Sequence, residues 1–401
     1  MAKSPELKRV VINDRGAARL RGGHVWGYAS DVLNDGGAAP GALVHVLNTR
    51  GKLQGTAVFS SASQIKLRLV SRDAIQTESE FGDLIGKRLA SAVEYRRRLV
   101  RDTDAYRLVF SEADLLPGLI IDRYQDICAV QILAQAWDSE LRRNLIIQSL
   151  KDSNGINNVV ERVDPRIREL ENLPPRESAL ISGDRSATVF QMNGVQFHYD
   201  ALSGQKTGAF LDQRENYAAA AHYARGEALD ICAYQGGFAL HLARRCVRVT
   251  GVDISREALE VAEQNEKLNA GAHKNEIDWI EGNAFDLMRD YADAGKQYDT
   301  IVLDPPAFAK SKKNLAAALR GYKELNLRAL KMLRPGGVLV TCSCSFAVGE
   351  QDFLAMLTDA AQDAHRSVTV LETRAQAKDH PVLLGVPETH YLKCVICTVP
   401  A

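Results

Sequence analysis

The most informative features of this 401-residue sequence are at first the ones it lacks. It has no run of about 18 uncharged apolar residues, which excludes a membrane-spanning helix. No apolar stretch follows the charged residues 1–8, so we expect no secretory signal. The seven cysteines are odd in number and widely spread, which disfavours a disulfide framework and predicts a cytoplasmic protein. Fifty basic residues balance fifty acidic ones, and this lack of net charge argues against a nucleic-acid partner.

The charge is, however, unevenly distributed along the chain. Residues 1–75 carry 11 Lys and Arg against 5 Asp and Glu, a net charge of +6, so the remaining residues sum to −6. Apolar runs at 42–47, 56–59 and 65–70, separated by glycines, predict β-strands in this segment. We therefore predict a small basic β-domain over residues 1–75. Its local charge weakens the objection to an RNA partner, because only the contacting face must be basic.

Two further domains are predicted after this segment. Residues 76–190 combine a helix expected over 81–107 with several short strands, which indicates a central α/β domain. The Pro- and charge-rich stretch through Pro174-Pro175 is the best candidate for a linker. Residues 191–401 begin with one strand expected over 191–199 and then alternate helix and strand, which predicts a βαβ fold around a parallel sheet.

Polar residues follow four predicted strands of the last domain. Asp230 begins the segment Asp-Ile-Cys-Ala-Tyr-Gln-Gly-Gly-Phe, Asp253 closes the next strand, and Asn283 and Asp304 follow the third and fourth. In open parallel sheets, ligands bind beyond the carboxyl ends of the strands. The position of Asp253 suits a carboxylate that accepts hydrogen bonds from ribose hydroxyls. Acidic residues at strand ends can also be ordinary helix N-caps, and a dinucleotide-binding dehydrogenase would share the first two features.

The fourth strand is followed by Asp304-Pro305-Pro306, which a dehydrogenase does not need. With the other strand ends, this motif resembles the class I S-adenosylmethionine (SAM) methyltransferases. The resemblance implies a Rossmann-like sheet with SAM as the cofactor, held at its methionine part by the first loop, at its ribose by the second acid and at its adenine by the third loop. The cofactor-binding residues implied in this way are Asp230, Tyr234, Gly236, Gly237, Asp253, Asn283, Ala284 and Asp304.

Two cysteines, Cys342 and Cys344, lie at the end of the fifth predicted strand. Carbon 5 of cytosine is too weak a nucleophile to take a methyl group directly, and a thiolate that adds to carbon 6 activates it. Such a reaction also needs a carboxyl group at N3 of the base, a role that Asp304 can take. The two cysteines share one face of a strand, so alternation does not separate them. Cys344 lies further beyond the sheet edge, and we predict it as the nucleophile, with Cys342 as a packed core thiol.

Six further segments narrow the resemblance to the RlmI-type ribosomal RNA large-subunit methyltransferases, which make 5-methylcytidine in 23S rRNA. The similarity covers nearly the whole chain and includes a PUA-like β-barrel with His24-Val-Trp26 at its N-terminal end. Its segments are Pro117-Gly-Leu-Ile-Ile-Asp122-Arg-Tyr, Lys206-Thr-Gly-Ala-Phe-Leu-Asp212-Gln-Arg214, Tyr234-Gln-Gly-Gly-Phe238, Asp304-Pro-Pro-Ala-Phe-Ala-Lys310-Ser-Lys312, Ser343-Cys-Ser345 and Asp379-His-Pro381.

This narrower resemblance implies roles for several more residues. It adds Gln213 and Arg214 on the cofactor side. It assigns Pro305, Phe308, Lys310 and Lys312 to the RNA substrate, and it leaves the oligomeric state open, with a homodimer as one option.

The chain departs from the family pattern at one position, and it shares with the family one feature that other RNA cytosine methyltransferases lack. Many relatives have Gly where Phe346 stands, which affects substrate detail more than chemistry. Ala307 occupies the slot where many other RNA cytosine methyltransferases carry a second cysteine, so release of the enzyme requires another base. Cys394-Val-Ile-Cys397 has zinc-like spacing without a second ligand pair, and we expect no metal.

Other functions share parts of this pattern. The site could methylate guanine N7 or an exocyclic amine without a nucleophile, or the chain could be a non-catalytic RNA-binding assembly factor. An NAD-linked oxidoreductase is disfavoured because no His or Tyr–Lys proton relay accompanies the glycine loop. For RNA contact, Phe308 and Tyr322 are candidates for base stacking or for the core, and Arg96-Arg97-Arg98 for phosphate contact or a solvated helix face.

Overall fold

The computed structural model describes residues 6–152, 155–203, 208–272, 276–309 and 312–401. By its internal contacts the chain divides into two units. Unit 1 consists of Met1–Phe190, Tyr199–Gly208 and Lys378–Thr389, and unit 2 of Gln191–His198, Ala209–Ala377 and His390–Ala401. A short segment near the C-terminus therefore belongs to the N-terminal unit. The division into three domains remains a prediction.

The first part of unit 1 is a six-stranded mixed sheet with one short helix. Asn13 caps that helix, its side chain accepting a hydrogen bond from the Gly16 N–H at 2.8 Å. Val10, Val44 and Leu67 are among the buried residues that form its core. The elements are β1 (Lys8–Ile12), α1 (Asp14–Arg21), β2 (Trp26–Tyr28), β3 (Val32–Asn34), β4 (Leu43–Asn48), β5 (Leu53–Phe59) and β6 (Ile65–Ser71), in the sheet order β2-β6-β5-β4-β1-β3.

The second part of unit 1 is a five-stranded sheet packed with helices. Thr77 caps the long helix, which ends at Leu99 rather than extending to residue 107 as predicted. The elements are α2 (Glu78–Leu99), β7 (Ala105–Phe110), β8 (Leu119–Tyr124), β9 (Ile127–Ile132), α3 (Glu140–Asp152), β10 (Asn158–Glu161), α4 (Pro165–Leu170) and β11 (Ala179–Ser182), in the order β11-β10-β9-β8-β7.

The stretch proposed as a linker contains α4 and is part of this unit. Arg168 and Glu171 are buried, and Glu171 accepts a hydrogen bond from Arg68 of β6 at 2.9 Å. The linker prediction was therefore wrong. The charged residues that suggested a solvated segment include buried ones that form ion pairs within the unit.

Residues 191–199 do not form a single strand. Instead β12 (Ala187–Met192) and β13 (Val195–Asp200) form a hairpin. Asn193 and Gly194 at its turn have φ values of 51° and 78°. Asn-Gly is the preferred dipeptide for such a two-residue turn, because both residues tolerate positive φ. This signal in the sequence was missed.

Unit 2 is a seven-stranded sheet whose first five strands in sheet order run parallel. Two antiparallel strands complete its edge, and the order is β16-β15-β14-β17-β18-β20-β19. The elements are α5 (Arg214–Tyr223), β14 (Glu227–Ile231), α6 (Gly237–Ala243), β15 (Arg248–Asp253), α7 (Arg256–Leu268), β16 (Ile277–Glu281), α8 (Ala284–Asp293), β17 (Tyr298–Leu303), α9 (Leu315–Met332), β18 (Leu333–Ser343), α10 (Glu350–Asp363), β19 (Thr369–Arg374) and β20 (Lys393–Thr398).

The register of this sheet brings the carboxyl ends of its parallel strands to one edge. Ile231 of β14 pairs with Val252 of β15 on one side and with Leu303 of β17 on the other, and Leu303 pairs with Thr341 of β18. The loops that follow these strands are consequently neighbours. Within the described ranges, no helix combines the length and the apolar character needed to cross a membrane.

Candidate active site

The loop between β14 and α6 has the backbone of a ligand cradle. Cys232 and Tyr234 have φ values of 66° and 52°, and Gly236, with φ of 85°, precedes the first residue of α6. Positive φ is costly for residues with a side chain, and such strain is concentrated at functional sites. The Ala233 N–H donates to the Val252 carbonyl at 2.9 Å, which ties this loop to the end of β15.

Asp230 lies fully buried in β14, beneath this loop. Its Oδ2 accepts the Ala239 N–H at 2.8 Å, while its Oδ1 has no hydrogen-bond partner among the described residues. Burial, together with the nearby carboxylates of Asp304 and Asp253, raises the pKa of Asp230 to about 8. Three carboxyl groups thus lie close together at the strand ends, and a cationic ligand bound there would favour their ionised forms.

The second and third loops present a carboxylate and an amide. Asp253 accepts hydrogen bonds from the Tyr234 N–H at 2.8 Å and the Ser255 N–H at 2.9 Å, which fixes its orientation. Asn283 caps α8, its side chain accepting a hydrogen bond from the Phe285 N–H at 2.9 Å. Ile254, the residue after Asp253, is 70% exposed. It forms an apolar surface beside Asp253 that the sequence predictions did not include.

Gln213 and Asp304 form a hydrogen bond at the edge of the sheet where the parallel strands have their carboxyl ends. Gln213 is buried at the start of α5 and donates from Nε2 to Asp304 Oδ1 at 3.0 Å. Its own Oε1 accepts from Asn216 at 2.7 Å, so the amide is held at both ends. Arg214 is also buried and pairs with Glu215 at 3.5 Å. Pro305, the residue after Asp304, is buried as well.

The two candidate nucleophiles have different environments. Cys342 is completely buried, and burial together with neighbouring Cys394 raises its pKa well above the ordinary value. Cys344, beyond the end of β18, is partly exposed. A reacting thiol must reach its substrate as a thiolate, so Cys344 is better suited to attack. The assignment of the nucleophile remains a prediction.

Two serines hold Cys344 in place. Ser345 is buried, and its Oγ accepts from the Ala309 N–H at 3.2 Å and shares a hydrogen bond with the Tyr322 hydroxyl at 2.9 Å. The Ser345 N–H donates to Ser343 Oγ at 3.3 Å. Because Ala309 ends the Asp-Pro-Pro-Ala-Phe-Ala segment, these bonds join the loop of the predicted nucleophile to the loop of Asp304.

The aromatic candidates for substrate contact differ in burial, and the basic candidates are not fully described. Tyr322 is 1% exposed and belongs to the core, whereas Phe308 is half-buried, with its ring 4.6 Å from that of Tyr322. Lys310 lies outside the described residues, as does Lys206 of the segment implied for cofactor contact, and the side chain of Lys312 is likewise not described.

Lys393 is the residue at this site that sequence reasoning missed. It is 5% exposed at the start of β20, and its Nζ donates to the Ser345 carbonyl at 2.6 Å. The available signal was a lysine at the beginning of an otherwise apolar strand. In the part of the chain that the structure describes, no group of three or more His, Cys, Asp or Glu side chains is arranged to hold a metal ion.

Known proteins resemble this chain over nearly its whole length. Residues 173–387 match a family of S-adenosylmethionine-dependent methyltransferases, and residues 10–72 match a PUA-like domain. The ribosomal RNA large subunit methyltransferase I of Shewanella denitrificans is 36% identical and covers 94% of this chain and 95% of its own. The protein of that name from Erwinia tasmaniensis is 37% identical and covers 98% of this chain and 99% of its own.

Solved structures extend the similarity in fold. A Streptococcus mutans protein described as a SAM-dependent methyltransferase superimposes with a TM-score of 0.81 at 18% identity, over 98% of this chain and all of that one. A methyltransferase structure complexed with SAH gives the same TM-score and identity. These two likenesses show the fold.

Proposed function

Because the chain belongs to the ribosomal RNA large subunit methyltransferase I family of SAM-dependent methyltransferases, we propose that it forms 5-methylcytidine in 23S rRNA through a covalent adduct of Cys344. One observation carries the choice of chemistry. A partly exposed thiol stands at the end of β18, and hydrogen bonds through Ser345 tie it to the Asp-Pro-Pro loop of β17. A methyltransferase acting on an amine or on guanine N7 needs no such thiol.

The strand ends fit the cofactor. SAM supplies an electrophilic methyl group on a positively charged sulfur. Asp230, with one buried carboxylate oxygen lacking a partner, offers a site for the cationic methionine part. Asp253 is positioned by two backbone N–H groups to accept ribose hydroxyls. Gln213, Arg214, Tyr234, Gly236, Gly237, Asn283 and Ala284 complete the proposed cofactor contacts.

Cys344 and Asp304 would divide the chemistry on the base. The Cys344 sulfur would form a bond to cytosine carbon 6, and the electron pair of the carbon 5–carbon 6 double bond would move to carbon 5. Carbon 5 would then take the methyl group as the bond between that group and the SAM sulfur breaks, leaving the sulfur as a neutral thioether. Loss of the carbon 5 proton to a base restores the double bond and breaks the carbon 6–sulfur bond. The carboxyl group of Asp304, oriented by Gln213, hydrogen-bonds N3 of the ring.

The RNA must present an unstacked base to this pocket. In this proposal half-buried Phe308 and buried Pro305 contact that base, and Lys310 and Lys312 contact phosphate or the substrate loop. Sequence-specific RNA recognition commonly uses such stacking on splayed bases. The basic residues of the 1–75 segment supply the remaining electrostatic attraction.

The cysteine pair permits a matched test. Purified wild-type protein, Cys344→Ala and Cys342→Ala are incubated with SAM and 23S rRNA lacking modifications, and the nucleosides are identified by mass spectrometry. We expect 5-methylcytidine from the wild type, a loss of at least about 1000-fold in Cys344→Ala, and product from Cys342→Ala. A methylated guanosine product, or methylation by Cys344→Ala at the wild-type rate, would refute the covalent cytosine mechanism.

A further inference from the structure

Lys393 is a buried cation that the proposed chemistry does not use. It is 5% exposed, and its Nζ donates hydrogen bonds to the carbonyls of Ser345 at 2.6 Å and Tyr391 at 2.7 Å. Across the described ranges, no carboxylate forms an ion pair with it. Burying an ammonium group without a carboxylate partner is costly, because two neutral carbonyls replace only part of its hydration. Its place in the fold therefore calls for a functional reason.

The position of Lys393 is defined relative to Cys344. In the antiparallel pairing of β18 and β20, Lys393 lies opposite Ser343. Its side chain reaches the carbonyl of Ser345. Lys393 thus contacts the residues on both sides of Cys344. Its backbone is paired with Ser343, and its side chain donates a hydrogen bond to Ser345.

The two groups also interact electrostatically. Burial lowers the pKa of Lys393 to about 8, and the negative charges of the Cys344 thiolate and of Glu350 oppose this shift. The interaction is reciprocal, so a protonated Lys393 must favour the thiolate form of Cys344 by the same free energy. The other titratable or charged groups around these strands are Tyr322 of α9, Asp304 after β17, Arg374 of β19, and Cys342 and Cys394 of the paired strands.

We propose that Lys393 is a positioning residue whose ammonium group holds the Cys344 loop and stabilises the Cys344 thiolate. The thiol proton passes to solvent, Lys393 keeps its own proton, and no bond to Lys393 is formed. The same charge stabilises the sulfur when it leaves carbon 6. The inference rests on the proposed function only for the reaction that the thiolate carries out, which is attack on cytosine.

The test measures the ionisation of Cys344 without RNA or SAM. The protein is alkylated with iodoacetamide across a pH series from about 6 to about 10, and modification of the Cys344 peptide is followed by mass spectrometry. For wild type we expect a midpoint below about 8.5, the value of an unperturbed thiol. A wild-type midpoint at or above that value overturns the proposal, whether or not any variant folds.

Three variants separate charge from packing. Lys393→Met should raise the midpoint by about one pH unit, Lys393→Arg should keep it close to wild type, and the exposed control Lys331→Met should leave it unchanged. Buried Cys342 serves as an internal control for global opening in each variant. A folded Lys393→Met with the wild-type midpoint refutes the role of the charge. A thiolate shift in a protein that makes no 5-methylcytidine would contradict the proposed function and leave this inference standing.

Discussion

Among single residues, Asp230 combines complete burial with an oxygen that nothing in the described structure satisfies. Its pKa of about 8 in the fold compares with 3.8 for the ordinary carboxyl group. Between these values the folded chain binds one more proton than the unfolded chain, so this residue makes stability fall as pH rises. A protein retains such a residue when a ligand compensates for the cost.

Asp230→Asn should therefore separate stability from function. The gain in unfolding free energy of the variant over wild type should be about 1 to 3 kcal/mol larger at pH about 8 than at pH about 5, because only wild type loses stability as its unfolded chain ionises residue 230 while its folded chain keeps the proton. Its affinity for SAM should fall about 10- to 100-fold, since a hydrogen bond to a charged group is lost. Denaturation at the two pH values and calorimetric titration with SAM measure the two effects. Equal affinity in both proteins would contradict the cofactor role of Asp230.

The acids at the strand ends could be predicted from the sequence because each follows a recognisable apolar strand, and parallel strands end together. Lys393 could not, because its importance depends on the antiparallel register of β20 with β18, which places it opposite Ser343. Nor could composition distinguish Tyr322 as a core residue, since its burial depends on packing and on its hydrogen bond to Ser345.

Among helices and strands too, some features could be predicted from the sequence and others could not. Helix α2 illustrates both. The run Arg96-Arg97-Arg98 suggested either RNA contact or a solvated helix face. Arg96 is instead 1% exposed and donates to Asp114 at 2.8 Å and to the Asp379 carbonyl at 2.7 Å, while Arg97 is exposed. Arg96 thus anchors the Lys378–Thr389 segment within unit 1, a pairing between residues too distant in sequence to be anticipated.

Arg96→Ala should destabilise unit 1 by about 3 to 5 kcal/mol, because it leaves the Asp114 carboxylate buried without its cation. Arg97→Ala is the matched control on the same helix. It removes only an exposed ion pair with Glu94, and it should leave stability almost unchanged. Chemical denaturation of both variants gives the comparison, and equal destabilisation would show that burial of Arg96 contributes little.

Apolar runs alternating with helical patterns were sufficient to predict most strands and helices of unit 2, because most of its parallel strands are buried and each is followed by a helix. Sequence periodicity gave wrong predictions where a turn dipeptide or buried charged residues determine the local structure. The Asn193-Gly194 turn divides a predicted strand in two, and the stretch before Pro174-Pro175 is held by buried charges rather than left as a linker.

Across the whole molecule, the zero net charge is an average of two opposite parts. Several cations of residues 1–75 serve the fold: Arg15 and Arg19 pair with buried Asp31, and Arg68 with buried Glu171. Arg50, Lys52 and Arg72 are exposed, and no ion pair engages them in the described structure. Arg50 and Lys52 lie in the turn of the β4–β5 hairpin, and the backbone of Arg72 lies close to Gly55 of β5. These three are the strongest candidates for phosphate contact.

Reversal of all three to Glu should weaken binding to 23S rRNA fragments and reduce the dependence of affinity on salt, since fewer counterions are released. Fluorescence anisotropy from about 50 to about 200 mM salt measures both quantities. Reversal of the exposed Lys87, Lys151 and Lys267 is the control of equal charge. If the control weakens binding as strongly, net charge rather than this basic patch determines RNA affinity.

The central claim, that this enzyme makes 5-methylcytidine in 23S rRNA, is tested most directly by mass mapping of 23S rRNA from a strain that lacks the protein. We expect that one 5-methylcytidine disappears, that wild-type protein restores it and that Cys344→Ala does not. An unchanged set of 5-methylcytidines, or the loss of a methylated guanosine in their place, would contradict it.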